Sequence, residues 1–239
     1  MALTLANSQG TSSAGATNRV ITYAATPTAG NLLLLSIQWR GDPGVYVVLT
    51  PELAGYTLIH IDVSGTAAGA LYYRWATGGE PATSTITWTN SVPCGMSYLE
   101  YTWSGTASEF DLADEEAAQV SGSVTASTTK SITPTVNDSV VFAVFNPDLG
   151  NSWDVGSATY SNSFVEDYRR ENANPAVYLA QKDLATAAST STTFDASADA
   201  GGAIYNVIAA FRQEAAAGGT WPHNPLGHVL SGPFGGPIG

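Results

Sequence analysis

Three histidines, one cysteine and twenty acidic residues are the groups in this chain best suited to chemistry. A zinc site needs three or four nitrogen, sulfur or oxygen ligands held at fixed spacing. His60, in "GYTLIHID", alternates with Tyr56, Leu58 and Asp62 on one face of an extended run, the setting of a partly exposed structural histidine. His223 and His228 stand in a Gly/Pro-rich stretch that supplies no third ligand. The chain has no His-Glu-x-x-His, no cysteine pair and no Gly-x-Ser-x-Gly elbow. Glycoside hydrolysis asks for two carboxylates about 5 Å or about 6.5–9.5 Å apart in a cleft. Asp62, Glu80, Glu100 and Glu109 can be nominated, and nothing in their spacing selects a pair. Glu100, between Leu99 and Tyr101, lies on the face opposite the core aromatics and is expected to meet solvent. Cys94, in "SVPCGM", has no basic neighbour in sequence to activate it and reads as a small, half-buried turn residue. Asp111, Asp114, Glu115 and Glu116 lack the alternating spacing that wraps calcium, so they read as a solvated loop. Arg40-Gly41-Asp42 is a three-residue match of the kind chance supplies. Asn137-Asp138-Ser139 is a glycosylation sequon that matters only on an exported chain. The expectation is a protein without catalytic residues, metal or cofactor.

Charge narrows the partners. Eight Lys and Arg stand against twenty Asp and Glu, a net charge of −12. Such a chain repels nucleic acid and anionic membranes alike. Only 12% of residues are charged, so solubility rests on Ser, Thr and Asn, as in proteins that stay packed against neighbours. No run of 18 apolar residues occurs, and "NLLLLSI" has the length of a strand rather than a membrane span. "MALTLANSQGTSSAG" lacks a basic n-region followed by an apolar run, so no signal peptide is expected and synthesis in a cytoplasm is. A single cysteine rules out an internal disulfide.

The residues that could be positioned at all must be positioned by strands. Short runs rich in Val, Ile, Thr, Tyr and Trp alternate with Gly, Pro, Asn and Ser clusters. They are Val20–Ala24, Asn31–Trp39, Tyr56–Val63, Ala70–Ala76, Thr83–Thr89, Met96–Trp103, Thr129–Thr135, Ser139–Phe145, Phe164–Arg169, Ala176–Lys182, Thr190–Phe194 and Ala203–Arg212. "DLADEEAAQV", Asp111 to Val120, carries acids in its first turn as a helix would, and the sequence leaves helix and loop both open.

The runs occur twice in the same order. Leu33, Leu35 and Ile37 recur 107 residues on as Val140, Phe142 and Val144; Tyr56 recurs as Phe164; Leu71 and Tyr73 recur as Val177 and Leu179; Trp88 recurs as Phe194; Leu99, Tyr101 and Trp103 recur as Tyr205, Val207 and Ala209. The two copies span about 19–105 and 129–212, joined by an elaborated loop rather than a linker. Both "LLLLSI" and "VVFAVF" are apolar on both faces, the mark of strands buried between layers. This favours one all-β domain over 19–212, an antiparallel, jelly-roll-like β-sandwich built by internal duplication, over two tandem small sandwiches. Tyr73, Trp75, Trp88 and Trp103 fall on its core-facing parity and are expected to pack there rather than serve as a ligand platform.

"TPTAGNLLLLSIQWRG", "PELAGYTLIHID", "ALYYRWATGGEPATSTITWT" and "SYLEYTWSG" resemble a pattern of phage virion proteins and some bacterial surface proteins. Its elements are a Gly-Asp/Asn-Leu-Leu strand, a Gly-Trp/Tyr-Thr turn after Pro, an aromatic strand ending near Glu-Pro and a Tyr/Trp-Thr strand. Gly30–Leu33, Pro51 with Gly55–Thr57, Leu71–Trp75, Glu80–Pro81 and Thr87–Thr89 fill these places. The second copy keeps the spacing but lacks the Gly-Tyr-Thr turn and the Glu-Pro. The resemblance covers about residues 17–212 and implies a jelly-roll-like structural or adhesive module of a phage head or tail, with no fixed catalytic motif. Fold alone does not dictate function.

Residues 1–18 and 213–239 flank the duplicated core and read as N- and C-terminal arms. "QEAAAGG" reads as a hinge, and the Gly/Pro-rich stretch after it keeps Trp221, Leu226, Leu230, Phe234 and Ile238 extended, ready to fill shallow pockets on a neighbour. The reading is a homo-oligomer, for instance a trimer, that decorates or cements a capsid among other virion proteins. The alternative is a minor tail or fibre protein that binds host glycans through Trp39, Tyr46 and Trp153.

Overall fold

The computed structural model describes residues 3–40, 55–64, 67–103, 108–118, 126–147, 157–170, 176–196 and 204–213. Among them every regular element is a strand. The first half holds β1 (Thr4–Thr22), β2 (Leu32–Arg40), β3 (Thr57–Ser64), β4 (Ala67–Trp75) and β5 (Thr83–Thr102). The second holds β6 (Ser108–Ala118), β7 (Ala126–Thr128), β8 (Ser139–Pro147), β9 (Ala158–Tyr160), β10 (Val165–Arg170), β11 (Val177–Leu184), β12 (Thr193–Ala196) and β13 (Ile204–Gln213). One five-stranded sheet runs β1-β5-β2-β4-β3, the other β6-β13-β8-β11-β10, and β7-β12-β9 form a small third sheet. All ladders are antiparallel. The chain is therefore an all-β sandwich.

The two main sheets are the same object built twice, down to the register. Leu32 pairs with Trp75 as Val140 pairs with Asp183, and Thr57 with Tyr73 as Val165 with Gln181, each residue answered 108 positions later. Even the bulge repeats: β3 slips between Leu58 and His60, β10 between Glu166 and Tyr168. Left-handed backbone repeats too, at Gly30 (φ 87°) and Asp138 (φ 54°), and at Gly55 (φ 83°) and Ser163 (φ 62°).

The sheets bury equivalent faces against each other. Leu32, Leu34, Leu71, Leu99, Tyr101 and Trp103 meet Val140, Phe142, Val144, Leu179, Val207 and Phe211 in one cluster, with Tyr73 and Trp75 packed against it. Phe142 sits between Tyr101 and Phe211, with ring centroids 4.9 Å and 5.8 Å away. Gly69 is needed here for close approach, because a Cβ on it would lie 2.4 Å from the Tyr205 ring. The outer faces are covered as well. Tyr23 closes on Tyr98 at 4.8 Å over the first sheet, and the third sheet lays Phe194 on Phe145 and Tyr178 of the second, at 5.2 Å and 5.0 Å.

Several expectations change. Leu33, Leu35 and Ile37 do not share a layer with Val140, Phe142 and Val144; they face outward, and Leu32 and Leu34 take the inner places. A strand that is apolar on both faces carries no alternation from which to read its parity. The acidic segment is strand β6, not helix or loop: Ser108–Ala118 pairs with β13, and Asp111 accepts hydrogen bonds from the Thr135 amide (2.7 Å) and hydroxyl. Residues 4–18, read as an arm, belong to β1 and hydrogen-bond along β5. Both segments are edge strands whose place is set by backbone pairing, so small or charged side chains gave no signal. Thr129–Thr135 contributes only the isolated bridge of Ile132 to Thr190, and β7 precedes it. The C-terminal arm beyond Gln213 lies outside the described residues.

Phe142→Ala is expected to cost about 3–5 kcal/mol of unfolding free energy in urea titration. Because the halves share one inner core, near- and far-UV dichroism should report one common transition; two separate transitions would contradict the shared core.

Candidate functional site

Polar groups gather in two places, along the seam between the sheets and at one equivalent outer corner of each half. At the seam Ser36 and Asn146 exchange hydrogen bonds (3.2 and 3.3 Å), and Gln38 Nε2 donates to the Asn146 carbonyl (2.7 Å). Arg170 of β10 reaches across to the carbonyls of Thr11 (2.9 Å) and Met96 (3.3 Å), and Gln181 Nε2 to that of Leu3 (3.1 Å). His60 stacks on Tyr205 at 6.2 Å, so it packs as the structural histidine expected. These bonds satisfy buried polar atoms and fix how one half sits on the other.

The first outer corner is filled. Glu80 is buried, forms an ion pair with Arg74 (3.1 Å) and accepts from the Thr77 amide (2.6 Å), the Thr77 hydroxyl (3.0 Å) and the Gly78 amide (3.0 Å). Burial opposes ionisation of Glu80, but these hydrogen bonds and Arg74 together hold its carboxyl below the ordinary value of 4.5. The Arg74 guanidinium stands 6.0 Å from the Tyr56 ring centroid, and a Cβ on Gly55 would lie 2.8 Å from its Nη1. Tyr56 bonds Tyr23 through their hydroxyls (3.1 Å), and burial, then Tyr23, push the Tyr56 phenol far above its usual range. Glu100 is buried beside this cluster rather than facing solvent. It accepts from the Thr28 amide (2.9 Å), Asn31 Nδ2 (2.7 Å) and the Tyr98 hydroxyl (3.3 Å). The local sequence does not show that this outer face is covered, because its cover, the 23–31 segment, comes from elsewhere in the chain. Both carboxylates are saturated by internal donors, and each holds a turn in place.

The second outer corner is open. Ser131, Asn162, Ser163, Lys182, Ser189, Thr190 and Ser191 line a cavity of about 370 Å³. Its walls are held: Ile132 and Thr190 exchange backbone bonds (2.8 and 2.9 Å), Asn162 Nδ2 donates to the Ser191 carbonyl (2.7 Å), and Lys182 Nζ to Thr190 Oγ1 (3.3 Å). Asn162 and Ser163 both have positive φ (56° and 62°) and the Phe164 amide bonds the Ser161 carbonyl (3.3 Å), the geometry of a type I′ turn. A smaller groove of about 180 Å³ lies where β1 bends, between Gln9, Thr11, Val20, Met96 and Tyr98.

The remaining candidates divide plainly. Trp39 is buried at 3% in the outer core of the first sheet and offers no ring to a sugar, a consequence of that covered face. Tyr46, Trp153, Trp221, Leu226, Leu230, Phe234 and Ile238, with His223 and His228, lie outside the described residues. So do the side chains of Asp62, Trp88, Glu109, Asp114, Glu115 and Glu116. Among the described residues no group of three His, Cys, Asp or Glu could hold a metal ion, and no helix is long and apolar enough to cross a membrane. Cys94 is fully buried, and burial pushes its thiol up to about 11 against the pull of nearby Arg19 and Arg170. No protein-family model matches the chain, and no curated protein matches its sequence.

Glu80→Gln is expected to destabilise the fold by about 1–3 kcal/mol, because it removes the charge set against half-buried Arg74 and a strong acceptor of the Thr77–Gly78 turn. The folded pKa of Glu80 is depressed, so its contribution is complete above the unfolded value near 4.5 and disappears as pH falls through the lower folded value. Chemical denaturation between pH 3 and 7 should therefore show a shallower acid slope in the variant than in the parent. Cys94 should react with a maleimide at pH 7.5 only at the rate of unfolding; rapid labelling of the folded protein would contradict its burial.

Proposed function

We propose that this chain is a non-enzymatic structural protein of a phage virion, one that decorates or cements the capsid as a homo-oligomer and engages other virion proteins through its C-terminal arm. The observation that carries the reading is where the polar chemistry of the fold goes. Glu80 and Glu100 are saturated by internal donors, and Arg170, Gln181 and Asn146 tie one half of the duplication to the other. A body organised in this way is a rigid scaffold. The low charged fraction of 12% suits a protein that spends its life packed against neighbours. The apolar residues Trp221, Leu226, Leu230, Phe234 and Ile238 follow β13, which ends at Gln213, and an arm with such anchors suits the grooves of a partner.

Ending the chain at Ala217 tests the reading. The shortened protein should keep the thermal stability of the parent, because every core residue among those described lies at or before Phe211. It should lose most of its occupancy on the particle in an add-back assay. Full occupancy without the arm would overturn the docking role of these residues.

A further inference from the structure

The duplication supplies an internal control for the open corner of the second half. By the register of the two ladders, Arg74 answers to Lys182, just as Leu33, its partner, answers to Val141. Each cation stands over the aromatic ring that follows a left-handed turn residue: Arg74 over Tyr56 after Gly55, at 6.0 Å, and Lys182 over Phe164 after Ser163, at 5.7 Å. Beyond the strands the spacing drifts by one residue: Tyr23 bonds Ala82 as Ile132, 109 positions on, bonds Thr190, 108 on, and Gly30 bonds Ala76 as Asp138, 108 on, bonds Ala185, 109 on. Counted back from Ala82 and Thr190, position 80 answers to position 188; counted forward from Ala76 and Ala185, it answers to Ser189, which likewise carries no charge. In the first half it is Glu80, whose carboxylate occupies the cation. In the second half it is Ala188, which is exposed and has no charge to offer. Among the described residues no carboxylate pairs with Lys182, whose polar partner is the Thr190 hydroxyl.

We propose that the cavity of about 370 Å³ around Lys182 binds the carboxylate of an acidic sugar, in the place that Glu80 fills in the other half. The volume falls in the range of small-molecule sites. The ammonium has donors left over after its bond to Thr190, and a carboxylate is the group the fold itself sets against the equivalent cation. The rest of the lining selects for hydroxyls. Among the described residues Ser131, Ser163 and Ser189 have no side-chain hydrogen-bond partner, and the Asn162 side chain bonds through Nδ2 to Ser191, with no partner there for its amide oxygen. The turn that presents Asn162 and Ser163 holds two consecutive non-glycine residues at positive φ, the kind of backbone that persists where surrounding bonds over-determine it. The site is open on one side, so binding is weak for a single sugar and gains strength only by repetition across an oligomer. It uses none of the residues of the assembly reading, and either can fail while the other stands.

The test is a titration of the isotope-labelled full chain with glucuronate, glucose and acetate, following the backbone amides of residues 161–163 and 189–191. Glucuronate should shift them saturably, with glucose and acetate each about tenfold weaker, the value of one charge-assisted hydrogen bond or of the lost hydroxyl contacts. Lys182→Gln should bring glucuronate to the level of glucose. Ala188→Glu, which restores the internal carboxylate of the first half, should abolish the response to glucuronate while leaving the melting temperature unchanged or raised. The absence of a saturable shift overturns the proposal, as does equal binding by Lys182→Gln. Acetate binding as tightly as glucuronate overturns the sugar part of it.

Discussion

Everything in this molecule depends on two equivalent sheet faces burying each other. Leu32, Leu34, Leu71, Leu99 and Tyr101 from one copy, and Val140, Phe142, Val144, Val207 and Phe211 from the other, are all lost to solvent at a common interface. Burial of such side chains stabilises by about 1.5–3 kcal/mol each, so neither sheet can leave its inner face exposed. The duplication is in this sense obligatory: each copy is the cover the other needs. Polar groups placed at the seam, such as Asn146 and Arg170, then set the orientation of one copy on the other, because any other arrangement leaves their hydrogen-bonding atoms buried and unmatched.

Once the inner faces are committed to each other, the outer faces and their corners are where the copies can diverge. The left-handed turn residue, the aromatic behind it and the cation above it occur in both, while the loop after the cation differs, left-handed at Gly78 but not at Thr186. The occupant changed as well. Arg74 in the first half is neutralised by Glu80, which also ties down the Thr77–Gly78 turn, and the corner is structural. Lys182 in the second has hydroxyl groups and open space around it. A shared frame with one plugged and one open corner separates stability from recognition without altering the core.

Much of the organisation was legible from residue order. The repeat, the strand-rich pattern and the core role of Tyr73, Trp75 and Trp103 all follow from side-chain type and spacing. The errors have a common origin. The parity of "LLLLSI" was unreadable because both its faces are apolar and both are covered. Glu100 reads as solvent-facing in sequence because its cover, Thr28 and Asn31, arrives from a distant part of the chain. Edge strand β6 and all of β1 before Val20 are not legible, because Ser, Gly, Ala and acidic residues carry little strand preference and their place is decided by backbone bonds to β5 and β13. The open corner left no trace in sequence, since its residues come from four separated segments.

By itself, then, the sequence determined an all-β chain made of two copies, poor in charge and furnished with aromatic residues for a core, because local composition and period decide those properties. Only the tertiary structure decided which face of each strand looks inward, which carboxylates are occupied, and that Ala188 leaves Lys182 without the partner Arg74 has. Those depend on register between strands far apart in the chain, and a shift of one residue in a ladder exchanges every inward side chain for an outward one.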